Sequence, residues 1–223
     1  MTIDTSHPAS ADQLHRMLLE NAADFRAVLA GIPDERWDEP SYCAEWRVRD
    51  VVGHIVLGTT VPARKVIGKV AAGGFRLSTV VGRESRKMGD RLSPDELRAE
   101  FRRGTDVDEF GGIVKLLPKK PLLADNLTHL LDVTEPLGIH VDIPEARLVA
   151  TLDLLVDIND WGSKKRAKGL RLVTSDVAWS HGSGPEVRGE ARHLILALGG
   201  RRGVVEKLAG DGAAELAKRL GHS

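Results

Sequence analysis

Hydrophobic periodicity changes once along this chain, near Gly169, and that change decides the fold class. Before it, apolar residues recur three and four apart, the spacing that lines one face of a helix; after it, GLRLVTSDVAWS alternates in the manner of a strand. Leu14, Met17, Leu18, Phe25, Val28, Leu29 and Ile32 mark a first helix, with Ser10 and Gln13 in capping-box positions and its end between Gly31 and Pro33. EWRVRDVVGHIVLG places Val48, Val51, Val52, Ile55 and Val56 on one stripe and leaves His54 at its edge. Ser93, Pro94 and Glu96 start another helix, residues 119–135 form a leucine-rich one closed by Pro136 and Gly138, and Pro144 opens a further one carrying Leu148, Leu152, Leu155 and Val156. Between 57 and 92, Pro62, Gly73, Gly74 and Gly82 interrupt a basic, weakly amphipathic stretch, and the pattern leaves its boundaries open.

Beyond Gly169, HGSG is turn material and PEVRG a return strand, so a hairpin is expected, followed by short helices over 190–198 and 213–220. The expected class is therefore α+β: a helical domain over residues 1–162 and a small α+β C-terminal domain over residues 163–223. Only 4% of residues are aromatic, so the core must come from Leu, Val, Ala and Ile. Thirty-two basic residues balance thirty-two acidic ones, which offers no electrostatic case for nucleic acid or an anionic membrane and favours a small-molecule partner. No basic, apolar leader opens the chain and no run reaches the roughly eighteen apolar residues of a membrane span, so a cytoplasmic location is expected. Cys43 is the only cysteine; it excludes an intrachain disulfide or a dithiol site and reads as a small buried side chain.

The chemistry concentrates in DNLTHLLD, residues 125–132. Asp125 and His129 are four apart, so on a helix they stand one turn above the other and can converge on one ion. Leu123, Leu127, Leu130 and Leu131 form one stripe while Asp125, His129 and Asp132 gather opposite, a face that is either solvated or turned towards a site. His54, on a second helix, would complete a set of two imidazoles and one carboxylate, which leaves a coordination position open for water or substrate. Asp132 either orients the His129 ring or caps the helix surface without function.

Three separated motifs carry a family resemblance. W-x-V-x-D-V-V-x-H from Trp46 to His54, D-x-x-x-H-x-x-D-x-x-x-P-L-G from Asp125 to Gly138, and G-P-E-V-x-G with L-A-L-G-G-R and L-x-G-D-G near the C-terminus resemble the mycothiol-dependent maleylpyruvate isomerase family. The resemblance implies a DinB-like four-helix bundle in the N-terminal domain. It also implies a divalent metal, zinc by expectation, on the positions that match the family's ligands: His54, Asp125 and His129. The family's founding isomerase carries glutamate where this chain has Asp125, an arm one methylene longer. Mycothiol is implied as the thiol co-substrate, adding to an activated double bond in cis–trans isomerisation or displacing a leaving group in S-transfer to an electrophile.

Arg188, Arg192, Arg201 and Arg202 concentrate positive charge near the C-terminus, where a carboxylate-bearing substrate could be gripped bidentately, and Arg201 is the candidate catalytic residue among them. GGRRG and GSG lack phosphate-loop context, no nucleophile elbow is present, and His7, His15, His140, His181, His193 and His222 have no carboxylate at ligand spacing. The expected function is that of a metal-dependent, thiol-using enzyme. The alternative is a DinB-like binding or regulatory protein without turnover.

Overall fold

The computed structural model describes residues 9–72, 77–157 and 162–221. The capping box of Ser10 and Gln13 starts α1 (Ala11–Gly31), and a 3-10 turn over Asp34–Asp38 then buries Trp37 completely. α2 (Val48–Thr60) follows, opened by Asp50, which accepts from the backbone and the guanidinium of Arg47. The stretch left open by its pattern folds as α3 (Ala63–Ala72) and α4 (Leu77–Arg91); Pro62 precedes α3, Gly82 lies inside α4, and Gly73 and Gly74 fall outside the described residues. Ser93 and Glu96 form the second capping box and start α5 (Pro94–Thr105).

α6 (Lys119–Leu137) ends on Gly138 in the left-handed conformation, as expected. Pro136, expected to stop the helix, instead sits inside its last turn. A proline there lacks the N–H that would bond the carbonyl four residues back, that of Asp132. The Tyr42 amide takes this carbonyl at 3.0 Å, so the ladder is interrupted without leaving an unpaired group.

Leu14, Leu18, Phe25 and Leu29 of α1 meet Val48, Val52 and Ile55 of α2, Leu97 and Phe101 of α5, and Leu123, Leu127, Leu130 and Leu131 of α6 in one apolar core. Phe25 and Phe101 pack edge to face at 5.0 Å between centroids. α2 and α4 approach closely because two glycines face the contact: a Cβ on Gly53 would lie 2.7 Å from the Ser85 carbonyl, and one on Gly89 2.6 Å from Asp50 Oδ1.

α7 (Glu145–Asp157) and the short α8 (Ser163–Ala167) lead into the C-terminal part. There β1 (Arg171–Thr174) pairs antiparallel with β2 (Ser180–His181), Leu172 opposite His181, and parallel with β3 (Glu186–Gly189), Leu172 opposite Val187. The strand order is β2-β1-β3. The expected hairpin lies within GLRLVTSDVAWS itself, and PEVRG returns on the other edge of β1 in the parallel direction. Glycine permits that crossing: Gly182 and Gly184 adopt positive φ and pass so close to the Leu170 and Gly169 carbonyls that a Cβ would collide with them. α9 (Ala191–Leu198) and α10 (Ala213–Gly221) close the chain, and α9 packs against α7, so Leu172, Val187, Leu194 and Leu216 continue the same apolar core. Among the described residues no helix is long and apolar enough to cross a membrane.

Candidate metal centre

His54 projects from the middle of α2, and Asp125 and His129 from successive turns of α6. Asp125 stands between the two rings, its Oδ2 3.5 Å from His54 Nε2 and its Oδ1 3.5 Å from His129 Nε2. The three ligand atoms all lie within 4.8 Å of one another. Donors at the usual zinc–nitrogen and zinc–oxygen distances occupy tetrahedral corners about 3.4 Å apart, so the three would have to draw in by about 1.4 Å at most to share one ion. Two imidazoles and a carboxylate suit zinc or a neighbouring divalent transition metal.

The other nitrogen of each ring is already engaged. His129 Nδ1 meets Asp132 Oδ2 at 2.9 Å, and His54 Nδ1 faces Ser85 Oγ at 3.5 Å. Ser85 donates its own hydroxyl proton to the Val81 carbonyl, so it presents a lone pair to His54. When neutral, both rings therefore favour the tautomer with the proton on Nδ1 and the lone pair on Nε2, aimed at the shared centre. Trp46 covers the pair, nearly parallel to His129 at 16° and 5.9 Å, and 5.4 Å from the His54 ring.

Asp132 is fully buried, and its charge is answered by Arg201: Nε donates to Oδ1 at 2.8 Å and Nη2 to Oδ2 at 2.6 Å. Burial alone would raise the Asp132 pKa, but the guanidinium and the His129 ring hold it below the usual carboxylate range. Burial also works against a charged His129, yet the charge of Asp125 and the hydrogen bonds to Asp125 and Asp132 prevail and raise its pKa to about 9. For Asp125 burial is again outweighed, by His129 and His54, and its pKa is held far below the normal range. Without a metal the centre thus holds a carboxylate and a protonated imidazole, and a cation entering it displaces that proton.

The face opposite the leucine stripe of α6 is only partly solvated: Asp125 is part-exposed, while His129 and Asp132 are buried beneath the loop over 40–47 and the segment carrying Arg201. The structure brings His54, Asp125 and His129 together, and Asp132 contacts the His129 ring and does not cap the helix surface. Arg201, the candidate catalytic residue, has its fork on Asp132 and its remaining Nη1 on the Gly199 carbonyl. Arg188 pairs with Glu186, Arg192 with Glu135, and Arg202 donates to the Leu220 carbonyl. His193 also contacts Glu135, and His181 stacks on Trp179; His7 and His222 lie outside the described residues.

Cys43, Trp46 and Ser85 are neighbours of the centre to which the sequence reading gave no role. Trp46 lies inside the first quoted motif, but nothing in its spacing points it at the histidines. Ser85 lies in the stretch without a readable pattern. Cys43 is half-buried and gathers with His129 and Asp132 within 4.8 Å, while burial pushes its thiol up to about 12. That second group suits a cation poorly, because the Arg201 guanidinium already holds both Asp132 oxygens.

Residues 18–107 match the model of the family described as Mycothiol maleylpyruvate isomerase N-terminal domain. Two solved structures align over 92% of this chain and 94% of theirs with a TM-score of 0.59. One is the mycothiol-dependent maleylpyruvate isomerase, at 15% identity, and the other a mutant of that enzyme with a histidine changed to alanine, at 16%. No curated protein matches the chain. Residues 18–107 are thus similar to the N-terminal domain of that family, and the chain shares the fold of the mycothiol-dependent maleylpyruvate isomerase over nearly its whole length.

Proposed function

We propose that this protein is a metal-dependent enzyme that uses mycothiol to isomerise, or to transfer the thiol onto, a small electrophilic substrate in the cytoplasm. The reading rests on the convergence of His54 Nε2, Asp125 and His129 Nε2 on one point. The side chains of His54 and Asp125 are 22% and 32% exposed, so that point can be approached from solvent, while His129 closes its inner side.

His54, Asp125 and His129 would hold a divalent cation, zinc by the chemistry of the donors, and such an ion lowers the pKa of a thiol bound to it into the neutral range. Ser85 and Asp132 keep the imidazole protons on Nδ1, so that both Nε2 atoms stay available as ligands. Trp46 walls the two rings on one side and excludes water from their faces. In isomerisation the mycothiol sulfur would bond one carbon of an activated double bond, the resulting single bond would rotate, and cleavage of the carbon–sulfur bond would return the thiol and the isomer. In S-transfer the same sulfur would keep its new bond and a leaving group would depart with the electron pair. In both, residues 1–162 would supply the metal ligands and residues 163–223 would form a small α+β C-terminal domain packed on the same apolar core.

The test is elemental analysis of the purified protein, followed by turnover of mycothiol with maleylpyruvate and a panel of electrophiles. About one zinc per chain, lost in His54→Ala and His129→Ala, together with mycothiol-dependent turnover, supports the enzyme. Metal binding without turnover on any of these substrates favours a binding or regulatory protein. Failure to take up zinc, nickel or cobalt removes the metal-dependent reading altogether.

A further inference from the structure

Asp132 is the point where three parts of the chain meet. Its Oδ2 accepts from His129 Nδ1, its two oxygens accept the Arg201 fork, and its backbone carbonyl accepts the Tyr42 amide. Arg201 is fixed on its own side as well: its backbone amide donates to the Leu196 carbonyl and its Nη1 to that of Gly199. Two residues on, Gly203 lies against the Tyr42 ring so tightly that a Cβ would approach it to 2.8 Å. The segment from Gly199 to Gly203, the loop over 40–47 and α6 are thereby locked together behind one metal ligand.

The guanidinium offers a carboxylate one planar fork, formed by Nε and Nη2, and here Asp132 occupies it. A substrate carboxylate would have to displace a fully buried anion, leaving that anion without its counter-charge.

We propose that Arg201 is a positioning residue, through which the C-terminal part of the chain holds Asp132 and so fixes the orientation of the ligand His129. The inference rests on the metal-centre reading above and deepens it. Metal affinity then depends on a residue that touches neither metal nor substrate, from a segment about seventy positions away in sequence. Outer partners of ligating histidines typically matter about 10–100-fold in metal affinity.

The test is zinc affinity by competition with a chromophoric chelator, together with the visible spectrum of the cobalt-substituted protein, for the native chain, Arg201→Met, Arg201→Lys, Asp132→Asn and Arg202→Met. Arg201→Met should weaken zinc binding about 10–100-fold and alter the cobalt spectrum. Arg201→Lys should recover part of the loss, because an ammonium restores the charge without the fork. Adding Arg201→Met to Asp132→Asn should cost far less than the two losses combined, while Arg202→Met should change nothing. Should Arg201→Met not fold, Arg201→Lys carries the same comparison, with a several-fold loss expected. Native affinity and an unchanged cobalt spectrum in whichever folded Arg201 variant is measured, with a raised KM for a carboxylate substrate, would overturn the positioning role and leave the metal centre standing. A native protein that takes up no zinc would overturn the metal centre itself.

Discussion

The Tyr42 amide donates to the Asp132 carbonyl at 3.0 Å, in the place that the missing N–H of Pro136 leaves open. A helix-breaking residue thus becomes the anchor of a loop. Through that bond the 40–47 segment is drawn onto α6, and Trp46 and Cys43 come to rest beside His129. Glu45 adopts φ of 64° within this loop, a conformation that non-glycine residues seldom take.

The metal should compete with a proton on His129. Its pKa, raised from 6.5 to about 9 by the neighbouring carboxylates, means that the metal-free centre is protonated at neutral pH. Zinc affinity, measured by chelator competition, should therefore rise about tenfold per pH unit between about pH 7 and 9 and flatten above that. The stability of the metal-free protein runs the other way. The raised pKa contributes stabilisation that is fully present below about 6.5 and is lost as pH rises through about 9. A zinc affinity independent of pH over this window would contradict the pairing of His129 with Asp125.

Tryptophan emission should report the metal. Trp46 stacks on a protonated His129 in the metal-free protein at neutral pH, and a protonated imidazole quenches indole fluorescence. Zinc titration should brighten the emission of the native protein, and the change should disappear in Trp46→Phe, which keeps an aromatic wall. An equal change in the variant would assign the signal to another tryptophan.

Gly53→Ala should destabilise the fold by about 1–3 kcal/mol, the usual cost of overpacking, because the added methyl meets the Ser85 carbonyl at 2.7 Å. The clash is with backbone, so a rotamer change cannot relieve it. It also pushes α4 from α2 and carries Ser85 away from His54, so zinc binding should weaken alongside. Urea unfolding monitored by circular dichroism gives the first quantity, and native-like stability would show that the two helices can part freely.

Cys43 should be slow to alkylate in the metal-free native protein. Burial pushes its thiol up to about 12, so little thiolate is present at pH 8 despite the nearby Arg201. Iodoacetamide labelling followed by mass spectrometry should be far slower than in urea-unfolded protein. Equal rates in the two states would show that the thiol is neither buried nor suppressed.

Local chemistry was legible in the sequence. The capping boxes at Ser10 and Ser93 set two helix starts by bonds between residues three apart, and Gly138 set a helix end. Asp125, His129 and Asp132 were bound to converge once their segment was helical, since the turn of a helix alone brings such positions together. The remainder depended on partners far along the chain. Nothing local assigns Arg201 to Asp132, Ser85 to His54, or β3 to the parallel edge of β1, because each pairing is chosen by which surfaces the shared core presses together. Pro136 shows the division most plainly: its missing N–H was evident from the sequence, but only the packed structure could decide that Tyr42 would use the carbonyl it left free.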